Sequence, residues 1–224
     1  MVSPVRVAIY YAPLPDDPLT ELSSSWLGRE PTTNALVTQP MLEGIADITA
    51  EPRIYGFHAT LKPPMRPTDW TGFISAVRAV AAGIAPFTLP PLAVADLRGF
   101  LALRETSPCP ALQDLADACV RELDSFRIPP SAEELARRRR AKLSAEQEAM
   151  LERWGYPYVL ETWFFHMTLT RRLSDTEKSV FLPAAEAWFR PALSIPRRVE
   201  DICIFTQASP GAAFMLAERV PLRG

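Results

Sequence analysis

Short stretches of the chain alternate apolar and polar residues or run apolar throughout, which is typical of β-strands. Five such stretches lie at 5–11, 87–92, 97–104, 199–207 and 213–220. Two more strands are predicted at 54–61 and 162–169, where aromatic and β-branched residues lead into a repeated pattern. The strand pattern therefore covers both halves of the chain.

Apolar residues spaced three and four apart predict four helices. They are expected at 19–27, 71–83, 111–126 and 174–189. Pro183 is predicted to interrupt the last one, because proline lacks the backbone N–H that a helix interior needs. The chain is therefore predicted to mix strands and helices along its whole length.

A further helical segment at about 129–152 separates the two halves. Ser131 is its predicted N-cap, and the arginine run from Arg137 to Arg140 follows. The run has two open interpretations. It is either a patch or lid that grips phosphate, or a solvated helix in which Glu133 and Glu134 pair with arginines four residues on.

The chain contains two histidines, and each begins the same pattern, His58-Ala59-Thr60-Leu61 and His166-Met167-Thr168-Leu169. Residues two apart on a strand point to the same face, so each histidine shares a face with a threonine. The apolar residues on either side, at 57, 59 and 61 and at 165, 167 and 169, are expected to face the core. One histidine in an apolar strand is usually structural, but two in matching contexts indicate a catalytic pair.

Both patterns carry the signature of the 2H phosphoesterase superfamily, which this chain resembles. Members have two His-x-Thr-x motifs in two related lobes and act on cyclic phosphates or on 2'-linked phosphodiesters. Flanking residues at 7–13, 26–28, 55–64, 154–158 and 165–170 extend the resemblance, and they look like the branch encoded alongside phosphonate-degradation enzymes. The resemblance covers most of the chain.

The resemblance implies one bilobal α+β unit over residues 1–224. Two antiparallel or mixed sheets would face each other across a central cleft, with one motif strand in each and helices on the outside. The implied site needs no cofactor and no metal, and two histidines without accompanying carboxylates are also a poor metal-ligand set.

The implied reaction is hydrolysis of a small ribose or nucleoside cyclic phosphate, and a phosphoribosyl cyclic phosphate is the first substrate that the branch suggests. One histidine would act as base and the other as acid, since imidazole titrates near neutral pH. Their assignment stays open. Thr60 and Thr168 are expected to hold the non-bridging oxygens of the phosphate.

Eight further substrate contacts are predicted from strand phase, charge and aromatic character. They are Lys62, Tyr11, Tyr55, Tyr158, Trp163, Thr170, Arg171 and Arg104. Each has a structural alternative, because edge charges discourage sheet pairing and aromatic residues usually belong to the core.

Composition and charge indicate which kinds of partner the protein is expected to bind. A net charge of -2 and a pI near 5.8 argue against a protein that mainly binds long nucleic acid, and a small phosphorylated substrate is expected instead. No secretory pattern and no run of about 18 apolar residues is present, which predicts a cytoplasmic protein without a membrane partner. Cys109, Cys119 and Cys203 are predicted to be buried or half-buried thiols. Oligomeric state stays open.

Two other functions stay open as well. An RNA 2'-5' ligase or RNA-end 2',3'-cyclic phosphodiesterase would use the same four motif residues, with the arginine run along an extended groove. A non-catalytic nucleotide-binding module is the alternative of another class, although binding alone does not require both histidines.

Overall fold

A computed structural model describes residues 4–224, which form a seven-stranded sheet, a two-stranded sheet and eight α-helices. The strands are β1 (Arg6–Tyr11), β2 (Ala59–Met65), β3 (Phe87–Leu89), β4 (Leu92–Asp96), β5 (Leu101–Glu105), β6 (Met167–Thr168), β7 (Arg197–Val199), β8 (Asp201–Gln207) and β9 (Met215–Pro221). The helices are α1 (Pro18–Leu27), α2 (Ile45–Ile48), α3 (Ala50–Tyr55), α4 (Trp70–Ala82), α5 (Pro110–Leu123), α6 (Ala132–Arg139), α7 (Ala145–Trp154) and α8 (Asp175–Leu193).

The large sheet is antiparallel, with the strand order β4-β5-β6-β2-β1-β8-β9. Its two parts meet at β6, which pairs with β2 through Ala59 and Met167 and with β5 through Leu103 and Ala102. The strands β3 and β7 form the small sheet. Both histidine motifs therefore lie side by side at the centre of the large sheet.

One face of the large sheet is covered by α1, α4, α5 and α8, whose apolar side chains form the main core with the strands. The core side of both motif segments was predicted correctly, since Phe57, Ala59, Leu61, Phe165, Met167 and Leu169 are all buried there. The indole of Trp26 in α1 donates a hydrogen bond to the Leu169 carbonyl over 3.1 Å. This bond ties the helix layer to the end of the second motif.

The opposite face carries a separate, smaller cluster of buried side chains from β1, β8 and the segment before β9. Its members are Ala8, Tyr10, Ala12, Cys203, Phe205 and Phe214. Of the three thiols, Cys119 and Cys203 are buried and Cys109 is half-buried, as predicted.

Several predicted elements differ from the structure. Residues 54–57 are not a strand, because α3 ends there. Residue 162 ends a short 3-10 turn at Leu160–Thr162, and 163–165 follow it without forming a strand. Aromatic residues at these positions pack against the core or the site, and their presence does not require sheet pairing. The predicted strand at 87–92 is divided between β3 and β4, since Pro90 and Pro91 cannot donate to a ladder. The next strand begins only at β5, after a turn at Gly99.

Pro183 does not interrupt α8, which is continuous and also contains Pro191. Its buried side chains include Phe181, Ala185 and Phe189, whereas Pro183 faces solvent. Water can therefore bind the carbonyl that Pro183 leaves unpaired, while packing of the apolar face keeps the helix together.

The predicted fold class is confirmed, because the protein is α+β with two antiparallel sheets. The prediction of one motif strand in each of two facing sheets is wrong. Since β6 pairs with β2, both motifs belong to one sheet. The helices α6 and α7 occupy the segment that separates the two halves in sequence.

Candidate active site

The four motif side chains come together on the sheet face opposite the main core. Ala59 is opposite Met167, and continuing this register by one residue each way puts His58 opposite Thr168 and Thr60 opposite His166. Opposed residues of an antiparallel pair project to the same side, and diagonal neighbours lie roughly 7–8 Å apart. The two imidazoles occupy such a diagonal, which leaves room for one phosphate group between them.

The same register extends the cluster across two more strands. Ala102 is opposite Thr168 in β5, which places Arg104 opposite His166. In β1, Tyr10 is opposite Thr60. A row of Arg104, His166, Thr60 and Tyr10 therefore crosses the middle of the sheet.

The first histidine has a defined tautomer. Its Nδ1 lies 2.9 Å from the Gly56 carbonyl, and since a carbonyl only accepts, Nδ1 must carry the proton. Gly56 has a φ of 76°, and a Cβ there would come within 2.9 Å of Pro31, so glycine is needed to present this carbonyl. The Thr60 hydroxyl lies 3.3 Å from Nε2 of His58 and donates to it.

The environment of His58 favours the neutral ring. The Tyr10 ring stacks on it with centroids 3.7 Å apart and planes inclined by 22°. Burial lowers the pKa of His58 to about 4, and a charge on His166 lowers it further. His58 is therefore an unprotonated base at neutral pH, with its lone pair on Nε2.

The second histidine repeats this arrangement at a more open end of the site. Its Nδ1 donates to the Phe164 carbonyl over 3.1 Å, so Nε2 again faces away from the backbone. The ring stacks on Phe164 at 4.6 Å and meets the edge of Phe100 at 5.9 Å. Burial lowers the pKa of His166, and the positive charge of Arg104 lowers it further. Both rings therefore present Nε2 for proton transfer.

Three of the eight predicted contact residues lie in or beside this cluster. The guanidinium of Arg104 lies 5.6 Å from the Phe164 ring centroid. The Tyr55 ring is 6.3 Å from His58, and Tyr158 packs edge-on against Tyr156, which is close enough to Tyr10 to raise the pKa of that residue. Arg104, the least specific of these predictions, stands closest to a motif histidine in the sheet register.

Tyr11 and Lys62 lie elsewhere, contrary to the prediction from strand phase. Tyr11 is buried in the main core, where its ring is 6.1 Å from Phe165. The Lys62 ammonium is buried at the end of α5, where it donates to the Val120 carbonyl at 3.2 Å and to Asp124 at 3.5 Å. A register irregularity in the pairing of β1 with β2 breaks the simple alternation on which the Lys62 prediction depended.

The remaining three predicted contacts hold the fold. The indole of Trp163 donates to the Thr60 carbonyl over 2.7 Å, so it fixes the backbone of the first motif. Thr170 is buried, and its hydroxyl accepts from the Leu101 N–H over 3.0 Å. Arg171 is held by two carboxylates outside the site, those of Asp47 and Glu177.

Sequence reasoning missed three residues of the site region, Tyr10, Tyr156 and Phe164, and it did not distinguish Arg138 from the other arginines of the run. Since β1 is buried on both faces, alternation could not decide between its two tyrosines. Phe164 could have been found, because it stands two residues before His166. Arg138 is reached only through the packing of α6, where its guanidinium lies 4.5 Å from the Tyr156 ring centroid.

Within residues 4–224, no three His, Cys, Asp or Glu side chains are grouped closely enough to hold a metal ion. In the same part of the chain, no helix combines the length and apolar character needed to cross a membrane.

The family model described as "Protein of unknown function (DUF1045)" matches residues 60–215. A curated relative is named ribose 1,5-bisphosphate phosphokinase PhnN, from Janthinobacterium sp. (strain Marseille); it is 39% identical, over 99% of this chain and 52% of the relative. The chain spans about half the length of the curated relatives it matches. Two similar solved structures are E. coli LigT in apo form and a phosphoesterase. LigT is 14% identical, the match covers 100% of both chains, and the TM-score is 0.49. The phosphoesterase is 13% identical, the match covers 99% of both chains, and the TM-score is also 0.49.

Proposed function

The chain belongs to the DUF1045 family, and we propose that this member is a metal-independent cyclic phosphodiesterase that hydrolyses a small ribose or nucleoside cyclic phosphate. The observation that carries the proposal is the register of β2 and β6, which opposes His58 to Thr168 and Thr60 to His166. Hydrolysis of a cyclic diester needs a base, an acid and donors to the non-bridging oxygens. This cluster supplies all of these from two adjacent strands.

His58 is the general base. Its Nδ1 proton is held by the Gly56 carbonyl, and burial beneath Tyr10 keeps Nε2 unprotonated at neutral pH. Nε2 takes a proton from water as the water oxygen attacks phosphorus. The water replaces the Thr60 hydroxyl as the hydrogen-bond donor to Nε2.

His166 is the general acid. When its ring is protonated, Nδ1–H stays on the Phe164 carbonyl and the second proton lies on Nε2, toward the substrate. A bound phosphate beside the ring raises its pKa again, because the negative charge favours imidazolium. Nε2 gives this proton to the ribose oxygen as its bond to phosphorus breaks, and exchange with solvent then resets both rings.

The hydroxyls and one arginine hold the phosphate. Thr60 and Thr168 donate to the non-bridging oxygens, which places phosphorus between the two Nε2 atoms for in-line attack. Arg104 lies beside His166 in the same row, and its Nε is buried without a hydrogen-bond partner among residues 4–224. An anion at this position would satisfy that donor and spread the charge that builds on the phosphate.

The relative's name supports a ribose-based substrate, since ribose 1,5-bisphosphate is a phosphorylated ribose. A phosphoribosyl cyclic phosphate, which the sequence resemblance also suggests, is therefore the first substrate to test, in a cytoplasmic setting of phosphonate breakdown. The kinase activity in that name is not part of the proposal. A Gly-x-x-x-x-Gly-Lys loop requires two glycines five positions apart, and the nine glycines of this chain include no such pair.

The test is a turnover assay of the chelator-treated protein against three substrates. These are the phosphoribosyl cyclic phosphate, a 2',3'-cyclic mononucleotide and an oligonucleotide that ends in a cyclic phosphate. His58→Ala and His166→Ala are each expected to lose at least about a hundredfold in kcat, because one positioned proton transfer contributes about 10² to 10⁴. Arg171→Ala is the matched control, since its charge is held outside the site, and we expect wild-type rates from it.

The outcomes separate the functions. Metal-independent turnover lost in both histidine variants supports the proposal, while loss of activity with the chelator alone refutes it. Preference for the oligonucleotide, with binding that weakens steeply in salt, would favour the RNA-end enzyme. A wild type that binds these ligands without converting any of them would favour the binding module.

A further inference from the structure

The arginine run of α6 does not act as a uniform solvated face. Arg137, Arg139 and Arg140 are exposed, whereas Arg138 is half-buried. Arg139 forms an ion pair with Glu148 at 2.5 Å. The expected pairs of Glu133 and Glu134 with arginines four residues on are not formed in the described part of the chain. Glu134 instead binds Arg66 at 3.1 Å. One arginine of the four is therefore turned inward.

Among residues 4–224, the inward arginine forms no ion pair with a carboxylate, since Glu134 binds Arg66 and Glu148 binds Arg139. Its guanidinium lies over the Tyr156 ring at 4.5 Å, and its Nε is buried with no hydrogen-bond acceptor among residues 4–224. Burial lowers the pKa of Arg138, which reflects the cost of removing this cation from water. A cation–π contact offsets only part of that cost. Buried polar groups are almost always paired, so the buried Nε–H of Arg138 is a donor that an anion could accept from.

Arg138 is also placed next to the catalytic cluster. Burial raises the pKa of both Tyr10 and Tyr156, and the Tyr55 phenol is close enough to raise both further. Tyr156 is also close enough to Tyr10 to raise the pKa of Tyr10. Tyr10 in turn stacks on His58, and Tyr55 is 6.3 Å from it. The guanidinium therefore lies on the Tyr10 side of the row, whereas Arg104 stands at its other end beside His166.

We propose that Arg138 binds a second anionic group of the substrate, a phosphate monoester carried on the same ribose as the cyclic phosphate. This inference rests on the proposed function and deepens it. The histidines and threonines hold the cyclic diester, and the reaction does not consume the second phosphate. Arg138 then selects doubly phosphorylated ribose cyclic phosphates over those with one phosphate. A guanidinium suits this role, because its planar fork can donate two parallel hydrogen bonds to phosphate oxygens.

The test compares two substrates that differ only in this group, a nucleoside 2',3'-cyclic phosphate with and without a 5'-phosphate. The wild type is expected to prefer the 5'-phosphorylated substrate by about tenfold to a hundredfold in kcat/KM, the usual value of hydrogen bonds to a charged group. In Arg138→Ala this ratio should fall close to one, mainly through KM, and Arg138→Lys should lie between. Arg137→Ala removes the same charge from the exposed face of α6 and should retain the wild-type ratio.

A ratio that survives in Arg138→Ala would overturn the inference, as would an equal loss of the ratio in Arg137→Ala. Calorimetric binding of ribose 5-phosphate, which has no cyclic diester, separates this inference from the proposed function. Binding that Arg138→Ala weakens and Arg137→Ala does not would support the phosphate site even if no cyclic phosphate is hydrolysed. Absence of binding to the wild type, or equal binding to both variants, would refute it.

Discussion

Protonation of His58 should destabilise the folded protein. The pKa of His58 in the folded state is about 4, against about 6.5 for an unperturbed imidazole, because the ring is buried beneath Tyr10. Since the folded pKa is the lower one, the unfolded chain binds the proton first as pH falls. The contribution of the neutral His58 ring to the free energy of unfolding is fully present above pH 6.5, and it is lost as the pH falls from 6.5 to 4. At 1.36 kcal/mol for each pKa unit, the loss reaches about 3 kcal/mol at pH 4.

The measurement is urea unfolding at pH 7 and at pH 4, for the wild type and for His58→Gln. Other groups titrate in both proteins, so the difference between the two pH dependences isolates His58. We expect the wild type to lose about 3 kcal/mol more than the variant on acidification. An NMR titration provides a second readout. The chain has two histidines, so the imidazole signal that is absent in His58→Gln belongs to His58 and the other belongs to His166. The pKa of His58 should be the lower of the two.

Two results would refute this reasoning. A difference near zero would mean that His58 is not held neutral by its surroundings, and a His58 pKa at or above that of His166 would reverse the assignment of base and acid. If the pKa of His58 is confirmed to be lower than that of His166, kcat/KM should be highest between these two pKa values of the free protein. This maximum should lie on the acidic side of pH 6.5.

Three further predictions concern side chains that the structure places outside the chemistry. Lys62→Met should change the free energy of unfolding by no more than about 1–2 kcal/mol and leave turnover near wild type, because it replaces a buried charge with an apolar chain of similar size. Asp124→Ala should lower the free energy of unfolding by about 3–5 kcal/mol, since it leaves the Lys62 ammonium buried with only the Val120 carbonyl as partner. A tenfold fall of kcat/KM in a stably folded Lys62→Met would instead show that Lys62 binds substrate. Trp163→Phe should cost about 1–3 kcal/mol in urea unfolding by leaving the Thr60 carbonyl unpaired, and an unchanged stability would contradict the importance of that bond.

Local sequence determined the central part of this protein. The period of a strand is two, so His58 and Thr60 had to share one face while Ala59 and Leu61 faced the core, and the same holds for the second motif. The repeated pattern also indicated that both histidines belong to one site. These conclusions depend only on neighbours within a few residues, which is why they could be drawn without a structure.

Strand pairing and bulges are decided by distant contacts. The pairing of Ala59 with Met167 joins segments more than a hundred residues apart, and it puts both motifs in one sheet rather than in two. In β1, burial on both faces removes the alternation that would separate Tyr10 from Tyr11, so the chain alone could not show which ring covers His58. Lys62 follows Thr60 by two residues, but an irregularity in the pairing of β1 with β2 turns its side chain to the other face of the sheet.

The arginine run shows the same division between local and tertiary control. The capping pattern predicted a helical segment at about 129–152 with its cap at Ser131, and the cap is present, but the segment is divided into α6 and α7. Four consecutive charges carry no information about which one turns inward, because that depends on where Tyr156 lies relative to α6. The sequence alone therefore determined the pair of histidine motifs and their strand phase, since these follow from local periodicity. Only the tertiary structure decided which aromatic rings and cations surround that pair, because packing between distant segments sets those contacts.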